Sequence, residues 1–152
     1  MGDPIEETTH FGAVASKVQR DKILDYIQLA EDEGGKVLCG GLSLHLEGRC
    51  ANGWFIEPTI VEGLGPMCRT NQEEIFGPVL SILRVETLED AIAVTQRSPY
   101  GNMAVMFTDS GYAANKFKDT AGAGMIGINV GVPAPMAVFP FCGWKDSFFG
   151  TL

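Results

Sequence analysis

VLSILRVETLEDAIAVTQR, residues 79–97, passes from a strand-like to a helix-like pattern. The apolar run over 79–85 is typical of a strand. Thr87, with Asp90 three residues later, is typical of a helix start and predicts a helix over 88–97. Further elements are predicted downstream: a strand over 103–107, a helix from Asp109 or Ser110 to about Ala121, and a strand over 125–130. Strand, helix, strand, helix, strand with short connections predicts an α/β fold with a parallel-sheet βαβαβ core.

A helix is also predicted near the N-terminus, over 16–34. Ser16, with Gln19 three residues later, matches the capping box. Gly34-Gly35 is expected to end this helix, because glycine adopts the left-handed conformation without a steric penalty. One apolar stripe at helical spacing is expected to face the core: Val18, Ile23, Leu24, Ile27 and Ala30.

Shorter strands and irregular segments surround that helix. Residues 37–39 are predicted to form a short strand. Residues 54–61 are strand-like as well, but Pro58 places them at a sheet edge or a bend, because proline has no N–H to donate. Segments without periodicity are predicted to be irregular, the last of them as packed chain: 1–15, 42–53 and 131–152.

The composition limits the classes of function. The chain has 152 residues with 11 Lys plus Arg and 19 Asp plus Glu, a formal net charge of −8. This acidic balance argues against binding to a nucleic-acid backbone. No apolar run approaches the roughly 20 residues that cross a bilayer, and the acidic residues 1–7 do not resemble a signal peptide. We therefore expect no nucleic-acid partner, no membrane span and no secretion.

The thiols and imidazoles form no metal-binding or catalytic pattern. None of the 4 cysteines and 2 histidines lies at the short spacing of a zinc site: Cys39, Cys50, Cys68, Cys142, His10 and His45. Disulfides are not expected without a secretory signal. Cys142 lies in a turn-like segment, but a nucleophile there would need a base supplied from elsewhere in space. We expect reduced structural cysteines and no metal.

Residues 122–127 match the dinucleotide-binding pattern G-x-G-x-x-G. That chemistry requires the glycines to follow a strand and open a helix, so that the helix N-terminus faces the pyrophosphate. Here the predicted order is inverted, with the helix first and the strand over 125–130 after it. The glycines are therefore expected to end the helix rather than bind a cofactor.

Two other segments could carry chemistry. In QEEIFGP, residues 72–78, a carboxylate could accept hydrogen bonds from sugar hydroxyls and the aromatic ring could pack on a flat ring. The alternative, favoured by the residues alone, is a solvated acidic turn with Phe76 in the core. The aromatic segment 140–150 could wall an apolar pocket, or form a core cluster from which Lys145 and Asp146 reach solvent. Its spacing leaves both readings open.

The sequence EEIFGP at 73–78 resembles a motif of the aldehyde dehydrogenase superfamily. The resemblance covers essentially the whole chain through further motifs in order: Gly2-Asp3-Pro4, the helix over 16–34, Phe55 to Ile60, and Tyr100-Gly101-Asn102. Residues 124–150 resemble the CoA-acylating methylmalonate-semialdehyde dehydrogenases. The front half of the chain, with residues 68–72, is closer to the hydroxymuconic and aminomuconic semialdehyde dehydrogenases. The two halves disagree, so the substrate remains open.

The resemblance implies an NAD-dependent oxidation of a small aldehyde. A cysteine thiolate attacks the aldehyde, hydride passes to NAD, and the thioester is released to CoA or to water. It also implies that Glu74 binds the nicotinamide ribose, that Phe76 lies beside the nicotinamide, and that Phe141 lines the substrate pocket.

The resemblance also implies which parts of the enzyme lie outside the chain. The family's nucleophilic cysteine, general-base glutamate and dinucleotide-binding domain precede the matched segment, and its oligomerisation strand follows it. Residues 1–152 are thus expected to form the C-terminal part of a catalytic domain, without catalytic residues and inactive alone. A homo-oligomer in the cytoplasm is expected, with the mitochondrion as the alternative location. The competing hypothesis is a non-catalytic binding module that reuses the fold.

Overall fold

The computed structural model describes residues 1–136 and 138–149. The chain divides into two compact units, Met1–Leu83 and Arg84–Leu152. The first unit contains these elements in order: α1 (Lys17–Asp32), β1 (Lys36–Cys39), β2 (Ser43–Leu44), a 3₁₀ helix (Gly48–Cys50), β3 (Phe55–Ile56), β4 (Thr59–Glu62), α2 (Arg69–Gln72) and β5 (Val79–Ile82). The second contains α3 (Leu88–Arg97), β6 (Tyr100–Gly101), β7 (Met103–Met106), α4 (Gly111–Thr120), β8 (Met125–Ile128) and β9 (Trp144–Lys145).

Helix α1 begins and ends where the sequence predicts. The Ser16 hydroxyl accepts a hydrogen bond from the Gln19 backbone N–H at 3.1 Å, and Gly34, at φ 90°, follows the last turn. The buried face packs on the sheet through Ile23, Ile27 and Ala30. The prediction was wrong for Val18, which is 79% exposed. Five residues separate it from Ile23, which places it roughly 140° away around the helix axis.

The main sheet of the first unit has the order β1-β4-β5. Strand β4 pairs antiparallel with β1 and parallel with β5. Pro58 lies at the bend that splits the predicted strand over 54–61, because β3 pairs instead with β2. The loop predicted over 42–53 was therefore wrong at β2 and at the 3₁₀ helix. Strands of two residues form only when segments distant in sequence meet in the folded protein, and they are too short to show a periodicity in the sequence.

In the second unit, β7 and β8 form a parallel pair covered by two helices. The Thr87 hydroxyl accepts from the Asp90 N–H at 3.1 Å and starts α3. Ser110, rather than Asp109, caps α4 by accepting from the Ala113 N–H. The covering residues Ile92 and Phe117 are buried. The predicted α/β fold with parallel strands is confirmed, and its parallel pairs are β4–β5 and β7–β8.

The segment predicted as irregular packed chain over 131–152 is only partly so. Strand β9 pairs antiparallel with β6, and several apolar side chains of the segment are exposed rather than packed: Val132, Met136, Val138, Phe139 and Phe149. Ala137 and residues 150–152 lie outside the described residues. Within the described ranges, no helix has both the length and the apolar character needed to cross a membrane.

Candidate functional site

The loop at residues 73–78 lies between α2 and β5 and rests on one face of α1. Three side chains of that face reach it, at the helical spacing i, i+3 and i+7. Gln19 Nε2 donates to the carbonyl oxygens of Ile75 and Phe76, at 2.9 Å and 2.8 Å. The other two contacts run from Lys22 Nζ to the Glu74 carbonyl oxygen at 2.8 Å and from the Tyr26 hydroxyl to the Glu73 carboxylate.

The carboxylate of Glu73 accepts hydrogen bonds from two side chains in this arrangement. Arg69 donates to it through two nitrogens, at 2.8 Å and 3.0 Å, and Tyr26 donates to it as well. The Arg69 hydrogen bonds, followed by that of Tyr26, lower the pKa of Glu73 to about 2. Glu73 therefore stays ionised further into the acid range than an ordinary glutamate, and it ties the start of the loop to α1 and α2.

Arg69 is itself held in place by the end of α1. The Glu33 carboxylate accepts from the Arg69 backbone N–H at 2.7 Å, and from the Thr70 N–H and hydroxyl at 3.2 Å and 2.7 Å. The pKa of Glu33 is lowered, first by the Thr70 hydroxyl. This carboxylate caps the short helix α2 and fixes the position from which Arg69 reaches Glu73.

Glu74 differs from Glu73, because its carboxylate is not held by neighbouring side chains of the described chain. Its side chain is exposed. No hydrogen bond or ion pair of its carboxylate is found within the described parts of the chain; only its backbone carbonyl is engaged, by Lys22. An unpartnered carboxylate on a loop fixed at its backbone can accept hydrogen bonds from two neighbouring hydroxyls of a ligand.

Phe76 is presented to solvent rather than buried. Its side chain is 77% exposed, so the expectation of Phe76 in the core was wrong. Its backbone lies in the left-handed region at φ 55°, which costs about 1–2 kcal/mol for an L-residue. The next residue approaches α1 closely, since a Cβ added to Gly77 would lie 2.5 Å from the Ile23 side chain. The loop conformation is thus imposed by packing and by the Gln19 contacts, not by local preference.

Phe141 lies in the second unit and is 43% exposed. Its ring packs against Phe148 with centroids 6.1 Å apart. An open groove in the same unit is lined by Ile126, Pro135, Phe139 and Cys142 among others; Phe141 is not among its described lining residues. Within the described residues, Phe141 is therefore paired with a second aromatic ring and does not line this groove.

Lys145 belongs to this aromatic segment and has a defined contact. Its side chain is exposed, but Nζ donates to the carbonyl oxygens at the end of α3, those of Gln96 at 2.9 Å and Ser98 at 2.8 Å. The cation therefore caps the C-terminal end of α3.

The cysteines and the glycine motif do not add to the site. All the cysteines are free thiols, and only Cys39 is exposed. Among the described residues, no group of three or more His, Cys, Asp or Glu side chains could hold a metal ion. Residues 122–127 follow α4, and Met125 already begins β8, so their inverted order is confirmed.

The sequence reasoning missed the three residues of α1 that hold the loop. Gln19 was assigned to the capping box, but its side-chain amide donates to the loop. A signal was present: Gln19, Lys22 and Tyr26 form a polar stripe beside the apolar one. That stripe does not say which segment it contacts.

A sequence profile of the aldehyde dehydrogenase family matches residues 1–152. The malonate-semialdehyde dehydrogenase 1 of Geobacillus thermodenitrificans is 42% identical over 153 residues, which cover 100% of this chain and 31% of that protein. The malonate-semialdehyde dehydrogenase 2 of Geobacillus kaustophilus is 43% identical, with coverage of 100% and 31%.

Solved structures give the same result. A methylmalonate-semialdehyde dehydrogenase from Oceanimonas doudoroffii superimposes with a TM-score of 0.85 at 36% identity, covering 95% of this chain and 30% of that one. An indole-3-acetaldehyde dehydrogenase of P. syringae, in complex with NAD⁺ and IAA, gives 0.90 at 33% identity, with coverage of 99% and 30%. The chain belongs to the aldehyde dehydrogenase family. It spans about 30% of the length of these relatives.

Proposed function

We propose that residues 1–152 are part of an NAD-dependent aldehyde dehydrogenase and contact the nicotinamide end of its cofactor. The observation that carries the proposal is the contrast within the loop at 73–78. Glu73 is held by Arg69 and Tyr26, whereas the adjacent Glu74 and Phe76 are exposed on a backbone fixed to α1. Family membership supports the assignment, and solved relatives contain NAD.

The residues of the loop fit a nicotinamide riboside by their chemistry. Glu74 would accept hydrogen bonds from the ribose hydroxyls, because its carboxylate is acceptor-only when ionised. Phe76 would pack an apolar ring on the flat heterocycle. The bound cofactor supplies the hydride acceptor of the reaction. Glu74 and Phe76 would orient it, and Phe76 would exclude water from one side.

We assign the nucleophilic cysteine and the general-base glutamate of the enzyme to sequence beyond residues 1–152. No cysteine here matches the motif of the family's nucleophile, so we propose that the chain alone does not oxidise aldehydes. Phe141, which packs on Phe148, is proposed to line the aldehyde pocket of the complete enzyme. The homo-oligomeric state and the cytoplasmic location remain predictions.

The substrate is proposed to be a small semialdehyde. Malonate- and methylmalonate-semialdehyde dehydrogenases occur among both the sequence relatives and the structural neighbours. CoA is the proposed acyl acceptor and water the alternative. Assays of the complete polypeptide that contains this sequence, with malonate semialdehyde in the presence and absence of CoA, distinguish the two by their acyl-CoA or free-acid product.

Kinetics of the complete polypeptide test the site. Loss of a hydrogen bond to a charged group costs about 1.5–3 kcal/mol, so Glu74→Gln should raise the KM for NAD⁺ by about tenfold or more and leave the KM for the aldehyde nearly unchanged. Phe76→Ala should act in the same direction. Glu47→Gln is the matched control, because it removes an exposed carboxylate outside residues 73–78. An unchanged KM for NAD⁺ in both loop variants would contradict the proposed site, and NADH formation by residues 1–152 alone would contradict the proposed inactivity.

A further inference from the structure

We propose that Gln19 is a positioning residue, whose side-chain amide holds the backbone of Ile75 and Phe76 in the conformation that presents Glu74 and Phe76 to the cofactor. The inference rests on the proposed function for its link to NAD. Its structural part, that Gln19 contributes to holding the loop conformation, stands on the contacts alone.

The first step concerns the two hydrogen bonds of Gln19. Its amide nitrogen carries two donor hydrogens, and the acceptors are the consecutive carbonyl oxygens of Ile75 at 2.9 Å and Phe76 at 2.8 Å. Consecutive carbonyls of an extended strand point in opposite directions, as its side chains do. One donor group can reach both only because Phe76 leaves the extended region, and its φ of 55° shows that it does.

The second step separates Gln19 from the other two contacts of α1. Lys22 engages the carbonyl of Glu74, and Tyr26 engages the carboxylate of Glu73. Both therefore fix the start of the loop. Gln19 alone among these three contacts the backbone of Phe76, the residue in the strained conformation. Without Gln19, Phe76 would lose a hydrogen bond that holds its backbone in the left-handed region.

The third step concerns the position of Gln19 relative to the core. The first unit is held together by apolar residues of α1 such as Ile23 and Ile27, which are 0% and 5% exposed. Gln19 lies one turn before Ile23 and is half-buried, between this core and the loop. Its removal leaves the core contacts in place. The expected consequence is therefore a change in the loop, with only a small effect on global stability.

Three substitutions in α1 isolate the role of the amide. Gln19→Met keeps the length of the side chain and removes both donors. Gln19→Lys is one atom longer but retains a group that can donate to carbonyl oxygens. Gln28→Met is the matched control, because Gln28 lies on the same helix and its amide donates only to Asp32 within the described residues. Thermal unfolding verifies that each variant is folded. Gln19→Lys provides a second test if Gln19→Met does not fold.

The first measurement uses the complete polypeptide without cofactor. Amide hydrogen exchange of peptides covering residues 73–80 should be faster in Gln19→Met than in the unmodified protein, and close to the unmodified rate in Gln19→Lys and Gln28→Met. Equal exchange in Gln19→Met and Gln28→Met would overturn the inference, whatever the kinetics show.

The second measurement is the KM for NAD⁺ of the same proteins. Gln19→Met should raise it about fivefold, the equivalent of one ordinary hydrogen bond, with kcat and the KM for the aldehyde retained. Faster exchange with an unchanged KM for NAD⁺ would overturn the positioning role, while Glu74→Gln still reports on the proposed site. Conversely, an unchanged KM for NAD⁺ in both Glu74→Gln and Phe76→Ala would overturn the proposed function. The exchange data would still decide whether Gln19 holds the loop.

Discussion

The hydroxyl of Tyr26 donates to the carboxylate of Glu73, 47 residues further along the chain. Arg69, which precedes Glu73 by 4 residues, donates to the same carboxylate. The adjacent Glu74 receives neither contact within the described residues. Two consecutive glutamates therefore differ: Glu73 fixes the loop, whereas the Glu74 carboxylate has no partner among the described residues.

The Glu73 contacts predict a specific dependence of stability on pH. The pKa of Glu73 is lowered from 4.5 to about 2 in the folded protein. A lowered folded-state pKa stabilises the fold above the unfolded-state value, and this contribution is lost as the pH falls through the folded-state value. Glu73→Gln should therefore reduce the free energy of unfolding at neutral pH, and the difference from the unmodified protein should shrink between pH 4.5 and about 2.

Denaturant unfolding at a series of pH values checks this prediction. Glu74→Gln is the control, because it removes the same charge without removing a contact within the described residues, and it should change stability little. A difference between Glu73→Gln and the unmodified protein that stays constant down to pH 2 would contradict the assigned pairing.

Gly77 is predicted to require the absence of a side chain. A Cβ there would lie 2.5 Å from Ile23 Cδ1 and 2.6 Å from Cγ1, and Ile23 is fully buried. Gly77→Ala should destabilise the protein by about 1–3 kcal/mol, the usual cost of overpacking. Gly12→Ala is the control, since nothing lies within 4 Å of its added Cβ. Equal unfolding midpoints for the two variants would show that the loop does not pack on α1 as described.

Val18 and Ile23 are predicted to respond very differently to truncation. Ile23 is 0% exposed and lies in the core with Ile27 and Ile56, so Ile23→Ala should cost about 2–5 kcal/mol. Val18→Ala should be nearly neutral, because the Val18 side chain is 79% exposed. Calorimetric unfolding of both variants provides the measurement. A comparable loss in the two would indicate that the face of α1 assigned to the core is wrong.

Lys145 is predicted to stabilise the end of α3 in the second unit. Its Nζ donates to the carbonyl oxygens of Gln96 and Ser98, groups that have no partner within the helix because they lie at its C-terminal end. Lys145→Met should lower the free energy of unfolding by about 1 kcal/mol. Lys118→Met, which removes an exposed lysine paired only with the neighbouring Asp119 in the described chain, should have a smaller effect. The opposite ranking by chemical denaturation would contradict the capping role.

The elements that the sequence predicted well are those that local contacts determine. Ser16, Thr87 and Ser110 each accept a hydrogen bond from the backbone N–H three residues later, so the capping side chain and its donor lie in the same short segment. The predicted bounds of α3 agree with the structure for the same reason. The pairing of β2 with β3 was missed, because two-residue strands carry no period and form only when distant segments meet.

The sequence by itself determined helices α1, α3 and α4, strands β5, β7 and β8, and the family motif at 73–78, because caps, periodicities and motifs are encoded within a few neighbouring residues. Only the tertiary structure decided which of two adjacent glutamates is engaged and that Phe76 faces solvent. Those outcomes depend on Tyr26 and Gln19, which lie 47 and 57 residues from their partners. Contacts over such distances exist only after α1 has packed its apolar face on the sheet, so no local pattern in the loop predicts them.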